Sequence, residues 1–269
     1  MPAINTNVSA LKAQNALATN ARSMTSAMEQ LSTGTRVNSA KDDAAGLAIG
    51  QTMTSQIRGL NQAVRNANDG VNMLQTAEGA MVEQTNMLQR MRELAVQSAN
   101  ATNSTLQRSY LDAEYQQLTS QIGDIGTQTK WNTTHVLDAG TLTFQVGMNS
   151  GESFSVVIQT TTTAALHLNS TAILSAGGAS SALATIDDAL DTVNGQRAKL
   201  GATMNRLTYT ADNLSNVSAN LSASRSAIMD TDYATASSQL SKTQIIQQAA
   251  TAMLAQANQQ PQSVLSLLK

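Results

Sequence analysis

Cysteine is absent from the 269 residues, and with it go disulfides, thiolate nucleophiles and thiolate metal sites. Proline occurs only twice, and aromatic residues make up 3%: one Trp, four Tyr and two Phe. So few rings starve a compact globular core and favour long helices that pack on Ala, Leu, Met and Val. Charge is sparse too, at 13% with a net of −2, and no basic stripe gathers phosphates or acidic lipids, so nucleic acid is not an expected partner. No run approaches the ~18 apolar residues of a membrane span, so no membrane partner is expected either. The opening "MPAINTNVSALKAQ" has neither a basic nor an apolar leader region, so the ordinary secretory route is not signalled.

What is present is helical periodicity. Met53, Ile57, Leu60, Val64, Ala67, Val71 and Leu74 recur at alternating spacings of four and three, and Met81, Leu88 and Ala95 continue one row at intervals of seven. The pattern predicts one helix from about Ala44 to Ala99, roughly 84 Å at ~1.5 Å per residue. The second row turns polar at Glu78, Thr85 and Arg92, which predicts a narrower apolar face in the distal half. "NDG" at 68–70 is a turn signal for an alternative hairpin, but the seam keeps its register across it. Gly59, Gly70 and Gly79 are expected to admit a neighbouring backbone.

A second seam runs through Leu183, Ile186, Leu190, Val193, Leu200, Met204, Leu207, Ala211, Leu214, Leu221 and Ile228. A shorter one, Leu111, Tyr115, Leu118, Ile122 and Ile125, follows a polar break at "ANATNST". The fold expected is mainly α: a long coiled-coil-like helical bundle of three helices with a small β-hairpin. The hairpin is the alternating stretch 141–158, with Leu142, Phe144 and Val146 on one arm and Phe154, Val156 and Ile158 on the other. Residues 159–182, rich in Thr, Ala and Ser and punctuated by Gly-Gly, read as a short surface loop.

The two ends echo each other. Ile4, Val8, Leu11, Met24, Met28 and Leu31 form one narrow stripe; Ile246, Ala250, Met253 and Ala257 form another, followed by Val264, Leu265, Leu267 and Leu268. Neither stripe can bury itself alone, so the expected partners are each other and neighbouring copies.

No catalytic constellation assembles. His135 and His167 have no carboxylate or second His at ligand spacing, no dinucleotide fingerprint or P-loop occurs, and no metal or other cofactor is expected. The best candidate, Lys41-Asp42-Asp43 in "LSTGTRVNSAKDDAAGLAI", has a simpler reading. Ser39, Asp42 and Asp43 stand where polar side chains cap a helix start, and Gly34 supplies the bend before them.

Several long motifs carry a resemblance: "INTNVSALKAQNAL", "LSTGTRVNSAKDDAAGLAI", "MTSQIRGLNQAVRNANDGVNMLQTAEGAM", "LQRMRELAVQSAN", "FQVGMNSGE", "RAKLGATMNRL" and "MLAQANQQPQSVLSLL". In this order, over roughly residues 1–150 and 183–269, the chain resembles a short bacterial flagellin with the outer domains nearly absent. It departs from the family pattern at Ala236, commonly Glu, at Thr35, usually Leu, and at "KWNTTHVL", usually a Phe-Asn-Gly turn.

The resemblance implies a non-enzymatic subunit that polymerises into the extracellular flagellar filament. Residues 1–38 and 234–269, carrying the two stripes, would form the inner core. Residues 39–233 would form a rod-like bundle with the hairpin and the short variable loop 159–182, joined to the core at Lys41, Asp42 and Asp43. The same resemblance implies export through the flagellar channel, an export chaperone, and contact with filament cap and hook-associated proteins. It also places a vertebrate innate flagellin receptor, and the axial subunit contact, at Gln89, Arg90, Leu94, Gln97, Leu111, Glu114 and Tyr115. The alternative within the same system is the hook–filament junction protein; a chemoreceptor-type signalling hairpin fits less well because of the strands at 141–158.

Overall fold

The computed structural model describes residues 6–138 and 140–266, with side-chain surroundings through Gln259. Among them the helices are α1 (Val8–Thr33), α2 (Ala44–Ala99), α3 (Thr105–Gln128), α4 (Ala176–Met229) and α5 (Tyr233–Ser266). The strands are β1 (Lys130–Trp131), β2 (Thr134–His135), β3 (Gly140–Gln145) and β4 (Ser153–Ile158). The chain divides into two compact units, Arg58–Ser218 and Met1–Ile57 with Ala219–Lys269. No described helix is long and apolar enough to cross a membrane.

Within Arg58–Ser218, α2 and α4 run antiparallel. Asn61 accepts from the Ser218 hydroxyl at 2.9 Å, Glu78 pairs with Arg197 at 3.0 Å, and Arg92 pairs with Asp187 at 2.7 Å. The helix α2 is unbroken through "NDG": a seam buried on both sides of the turn signal outweighs the local preference.

The buried face of α2 differs from the expected one in a single row. Leu60, Ala67, Leu74, Met81, Leu88 and Ala95 are buried as the heptads predict. Their partner row, however, is Ala63, Gly70, Ala77, Gln84, Met91 and Ser98, every member buried. In the expected row from Val64 onward, Val64, Val71 and Glu78 are half-buried, Arg92 is exposed, and Thr85 alone is buried. The distal half is therefore the broader buried face, the reverse of the expectation. Small residues in the inner row leave room for large side chains from other elements, as Gly70 does for the Phe144 ring of the hairpin and for Leu207. The same shift occurs in α4, where Ala182, Ala189 and Gln196 are buried and Leu183, Leu190 and Arg197 flank them.

Helix α3 starts where the polar break ends. The Ser104 hydroxyl accepts from the Gln107 N–H and the Gln107 side chain accepts from the Ser104 N–H, a reciprocal cap. Its Tyr115, Thr119, Ile122 and Gly126 complete the core. The hairpin β3–β4 pairs Leu142 with Val156 and Phe144 with Phe154, so its apolar side chains share one face and pack against the helices. A second hairpin, β1–β2, has no alternating pattern to announce it: within "KWNTTHVL", Asn132 takes a left-handed turn at φ 56°, and Val136 and Leu137 are buried just beyond it.

Residues 159–175 correct another expectation. Thr161, Leu166, Leu168 and Ile173 are buried, so this segment is a strap that walls the core rather than a surface loop. Its backbone is held from below: Gln84 donates to Thr161 O at 3.0 Å, Gln116 to Thr171 O at 3.1 Å, and Asp112 accepts from Ile173 N at 2.8 Å. Gly177 and Gly178 lie in the first turn of α4 and punctuate nothing. Of the three glycines expected to admit a neighbouring backbone, Gly59 meets Met148 at its Cβ, 3.0 Å, and its main-chain Cα, 3.6 Å, Gly70 meets the Phe144 ring, and Gly79 meets nothing within 4 Å. A tighter backbone approach occurs at Gly126, where an added Cβ would lie 3.1 Å from Thr161 O and 3.2 Å from Thr162 Cα.

The two glycine environments predict opposite outcomes in urea unfolding. Gly79→Ala gains about 1 kcal/mol from helix propensity alone, whereas Gly126→Ala destabilises by about 1–3 kcal/mol because the strap must move.

Candidate functional site

Within Met1–Ile57 and Ala219–Lys269, α1 and α5 pack against each other. They are antiparallel, since Asn7 donates to Ala257 O at 2.7 Å and Asn20 to Thr243 O at 2.8 Å. The seam on α1 is Ala10, Ala13, Leu17, Asn20, Met24, Ala27 and Leu31, at spacings of three and four, all buried or half-buried. On α5 it is Ala236, Leu240, Thr243, Gln247, Ala250, Leu254 and Ala257. Alanine is the commonest seam residue because an amide that bonds a main-chain carbonyl of the other helix needs the backbones close together. Ala13 and Ala27 lie one heptad to either side of Asn20.

The stripe expected from apolar periodicity therefore divides. Met24, Leu31, Ala250 and Ala257 lie on the seam. Val8, Leu11, Met28, Ile246 and Met253 point away from it, Leu11 being 55% and Met253 65% exposed. With Ile245 they leave large apolar side chains in water. Leu17, outside the expected stripe, takes a seam position instead. Ile4, Leu267 and Leu268 lie outside the described residues; Val264 and Leu265 are in α5, but their side chains are outside the described set.

The joint between α1 and α2 is tied to the α4–α5 break. Gly34 ends α1 at φ 72°, a left-handed position that suits glycine, and its N–H closes on Gln30 O. Thr35 then bridges Asp230, Arg36 N donates to Met229 O at 2.6 Å, and Thr231 N donates to Gly34 O at 3.0 Å. Arg36, which periodicity does not single out, also places its guanidinium on Ile228 O at 2.6 Å and near Asp43 at 3.9 Å. A cation on the last carbonyls of α4 complements that helix end.

Of the expected joint residues, Asp43 caps α2, accepting from Gly46 N at 2.8 Å. Asp42 folds the preceding turn, accepting from the Ser39 hydroxyl and N–H, both at 2.9 Å. Those bonds, the hydroxyl first, hold its carboxyl below the ordinary 3.8. Ser39 thus serves the turn and is not the cap, and Lys41 is exposed. Asp232 repeats the device at the start of α5, lowered by the Thr235 hydroxyl and then by the N–H groups of Ala234 and Thr235.

The residues expected on the distal α2–α3 face separate by depth. Gln89, Arg90, Gln97 and Glu114 are exposed; Leu111 is half-buried; Leu94 and Tyr115 are buried in the core. Arg90 bridges the two helices, donating to Glu114 at 2.9 Å and to Glu93 at 2.9 Å, and these bonds raise its pKa further. The Tyr115 hydroxyl bonds Thr171 Oγ1 at 2.8 Å, and burial raises its pKa. Among the described residues, no three His, Cys, Asp or Glu side chains gather in a metal-binding group.

This pattern of paired ends and bundle has known relatives. The family model for the bacterial flagellin N-terminal helical region matches residues 4–141, and that for the bacterial flagellin C-terminal helical region matches 183–268. The chain belongs to the bacterial flagellin family. It is 47% identical to a flagellin of Halalkalibacterium halodurans, with 99% of each chain covered. It is 41% identical to the flagellar filament 33 kDa core protein of Treponema phagedenis, again with 99% of each covered. The crystal structure of Bacillus cereus flagellin matches with a TM-score of 0.51 at 30% identity, over 56% of this chain and 88% of that one.

In this family member the turn before α2 is bonded to the Asp42 carboxylate. A depressed carboxyl contributes stability that is complete above the ordinary value and is lost as pH falls through the lower folded value. Asp42→Ala should therefore lower the thermal midpoint at pH 7, and the gap to the parent should close as pH falls below 3.8, measured by circular dichroism melts.

Proposed function

We propose that the chain is a non-enzymatic structural subunit that polymerises with copies of itself into the extracellular bacterial flagellar filament. Beyond family membership, the observation that carries this is the set of large apolar side chains Val8, Leu11, Met28, Ile245, Ile246 and Met253, exposed on helices whose mutual seam is already filled by other residues. Exposed apolar side chains along paired helices are an interaction surface. When that surface meets a different surface on the next copy, contacts do not close and an open helical polymer results. In this reading residues 1–38 and 234–269, which carry α1 and all of α5 but its first residue, form the inner layer, residues 39–233 the outer one, and Lys41, Asp42 and Asp43 the joint.

Export through the flagellar channel, an export chaperone, and contacts with filament cap and hook-associated proteins belong to the same reading. So does recognition by a vertebrate innate receptor at the distal α2–α3 face. There Gln89, Arg90, Gln97 and Glu114 offer the polar contacts, while Leu94 and Tyr115 support the helices from inside. The same face would be the axial contact between subunits, so monomer should engage the receptor and polymer should do so weakly.

Electron microscopy after salting-out from monomer should show long tubes of uniform width; a persistent monomer or dimer refutes the filament reading. Removing residues 1–31 or 246–269 should abolish tubes while the remaining bundle keeps a cooperative helical melt. Arg90→Ala should weaken binding of monomer to the receptor by about tenfold, roughly 1.4 kcal/mol, with unchanged affinity speaking against the receptor site.

A further inference from the structure

We infer that two bands of exposed charge on the bundle select how a neighbouring copy lies beside it: parallel, and shifted along the helix axis by about 27 Å, 18 residues at ~1.5 Å each. Three cross-links between α2 and α4 divide Arg58–Ser218 into sections: Asn61 with Ser218, Glu78 with Arg197, and Arg92 with Asp187. The proximal section, between the first two, holds Arg65, Lys199 and Arg206, all exposed. The distal section, between the last two, holds Glu83, Asp188 and Asp191, also exposed. The ion pairs of the bundle among the described residues, Arg90 with Glu93 and Glu114, Arg92 with Asp187 and Arg197 with Glu78, use none of these six.

The spacing puts opposite charges on common lines. Arg65 and Glu83 are 18 residues apart on α2, and Asp188 and Arg206 are 18 apart on α4. That interval is five turns at ~3.6 residues per turn, so each cation shares one exposed side of its helix with its acid. Because α2 and α4 are antiparallel, both lines change sign in the same direction along the bundle. On α3, Asp124 adds an exposed acid to the distal section, two residues beyond Ile122, whose carbonyl Gln84 reaches. Asp69 and Asp212 dilute the proximal cations without cancelling them, since Arg58 lies just beyond Asn61.

Two parallel copies in register set cation against cation and acid against acid. At the ~8–10 Å separation of packed helices, salt screens that repulsion only in part. A shift of about 27 Å, five helical turns, instead sets the distal acids of one copy beside the proximal cations of the next. An antiparallel pair also matches the signs, but it closes on itself. The parallel shift leaves each copy a second band for a further neighbour, which is the non-closing contact that a filament requires.

The inference rests on the filament reading and deepens it, and one experiment separates the two. Sedimentation gives the critical concentration for tube formation of the parent and of two variants. The first carries Arg65→Glu and Lys199→Glu; the second carries Glu83→Lys, Asp188→Lys and Asp191→Lys. Arg206 is left in place because its guanidinium stacks on the Phe154 ring. The first variant is acidic in both sections and the second basic in both, so each alone should raise the critical concentration about tenfold, less so in raised salt. An equimolar mixture should form tubes near the parent's critical concentration. Variants that polymerise like the parent, or a mixture no better than its components, overturn the inference. So does a mixture that forms closed dimers, or a helical reconstruction of parent tubes with like bands side by side. Absence of tubes in the parent refutes the filament reading, and the inference with it.

Discussion

Two long helices can stay in close contact only if enough of the residues between them are small and let the backbones approach. The end pair meets that constraint, with Ala10, Ala13 and Ala27 on α1 and Ala236, Ala250 and Ala257 on α5. Close approach then makes a second kind of contact available, side-chain amide to main-chain carbonyl. Asn20 reaches Thr243 O across the end pair, and in the bundle Gln84 reaches Thr161 O and Gln196 reaches Val157 O.

The buried glutamines have a structural use in the bundle. The strap carries the Thr161 carbonyl into the core, where water cannot serve it. Gln84 bonds Thr161 O of the strap and Ile122 O of α3, and Gln196 bonds Val157 O of β4, so strap, α3 and hairpin are tied to helices that are otherwise packed on aliphatic and small side chains. The hairpin adds its own anchor, with the Arg206 guanidinium 4.5 Å over the Phe154 ring. Tying these segments down leaves the distal α2–α3 face as a plain helical surface, crossed by the Arg90–Glu114 pair.

The ends are organised the opposite way. Their seam mixes alanine and a few polar groups with Leu17, Met24, Leu240 and Leu254, which are only half-buried, so it removes little apolar surface from water per turn and contributes modestly by itself. Other large side chains, Val8, Leu11, Met28, Ile245, Ile246 and Met253, are held outside it and exposed. The Arg36 clasp, which joins the ends of α1 and α4 to the cap of α2, defines where the paired ends begin.

Periodicity and local chemistry by themselves determined the extent of α2 from Ala44 to Ala99, the apolar face of β3–β4, and the break and cap before α3. These depend on neighbours in sequence: heptad spacing, alternation, capping residues. Long shared motifs placed the chain in its family. Only the tertiary structure decided which second row of each helix is buried, because hydrophobic periodicity favours Val64, Val71 and Leu190 while close packing selects Gly70, Ala77 and Ala189. It also decided that Leu94 and Tyr115 are core, that residues 159–175 wall the bundle, and that Val8, Leu11 and Met253 face outward. Each of those depends on which distant backbone comes near, and size and carbonyl acceptors across a contact leave almost no trace in an apolar pattern.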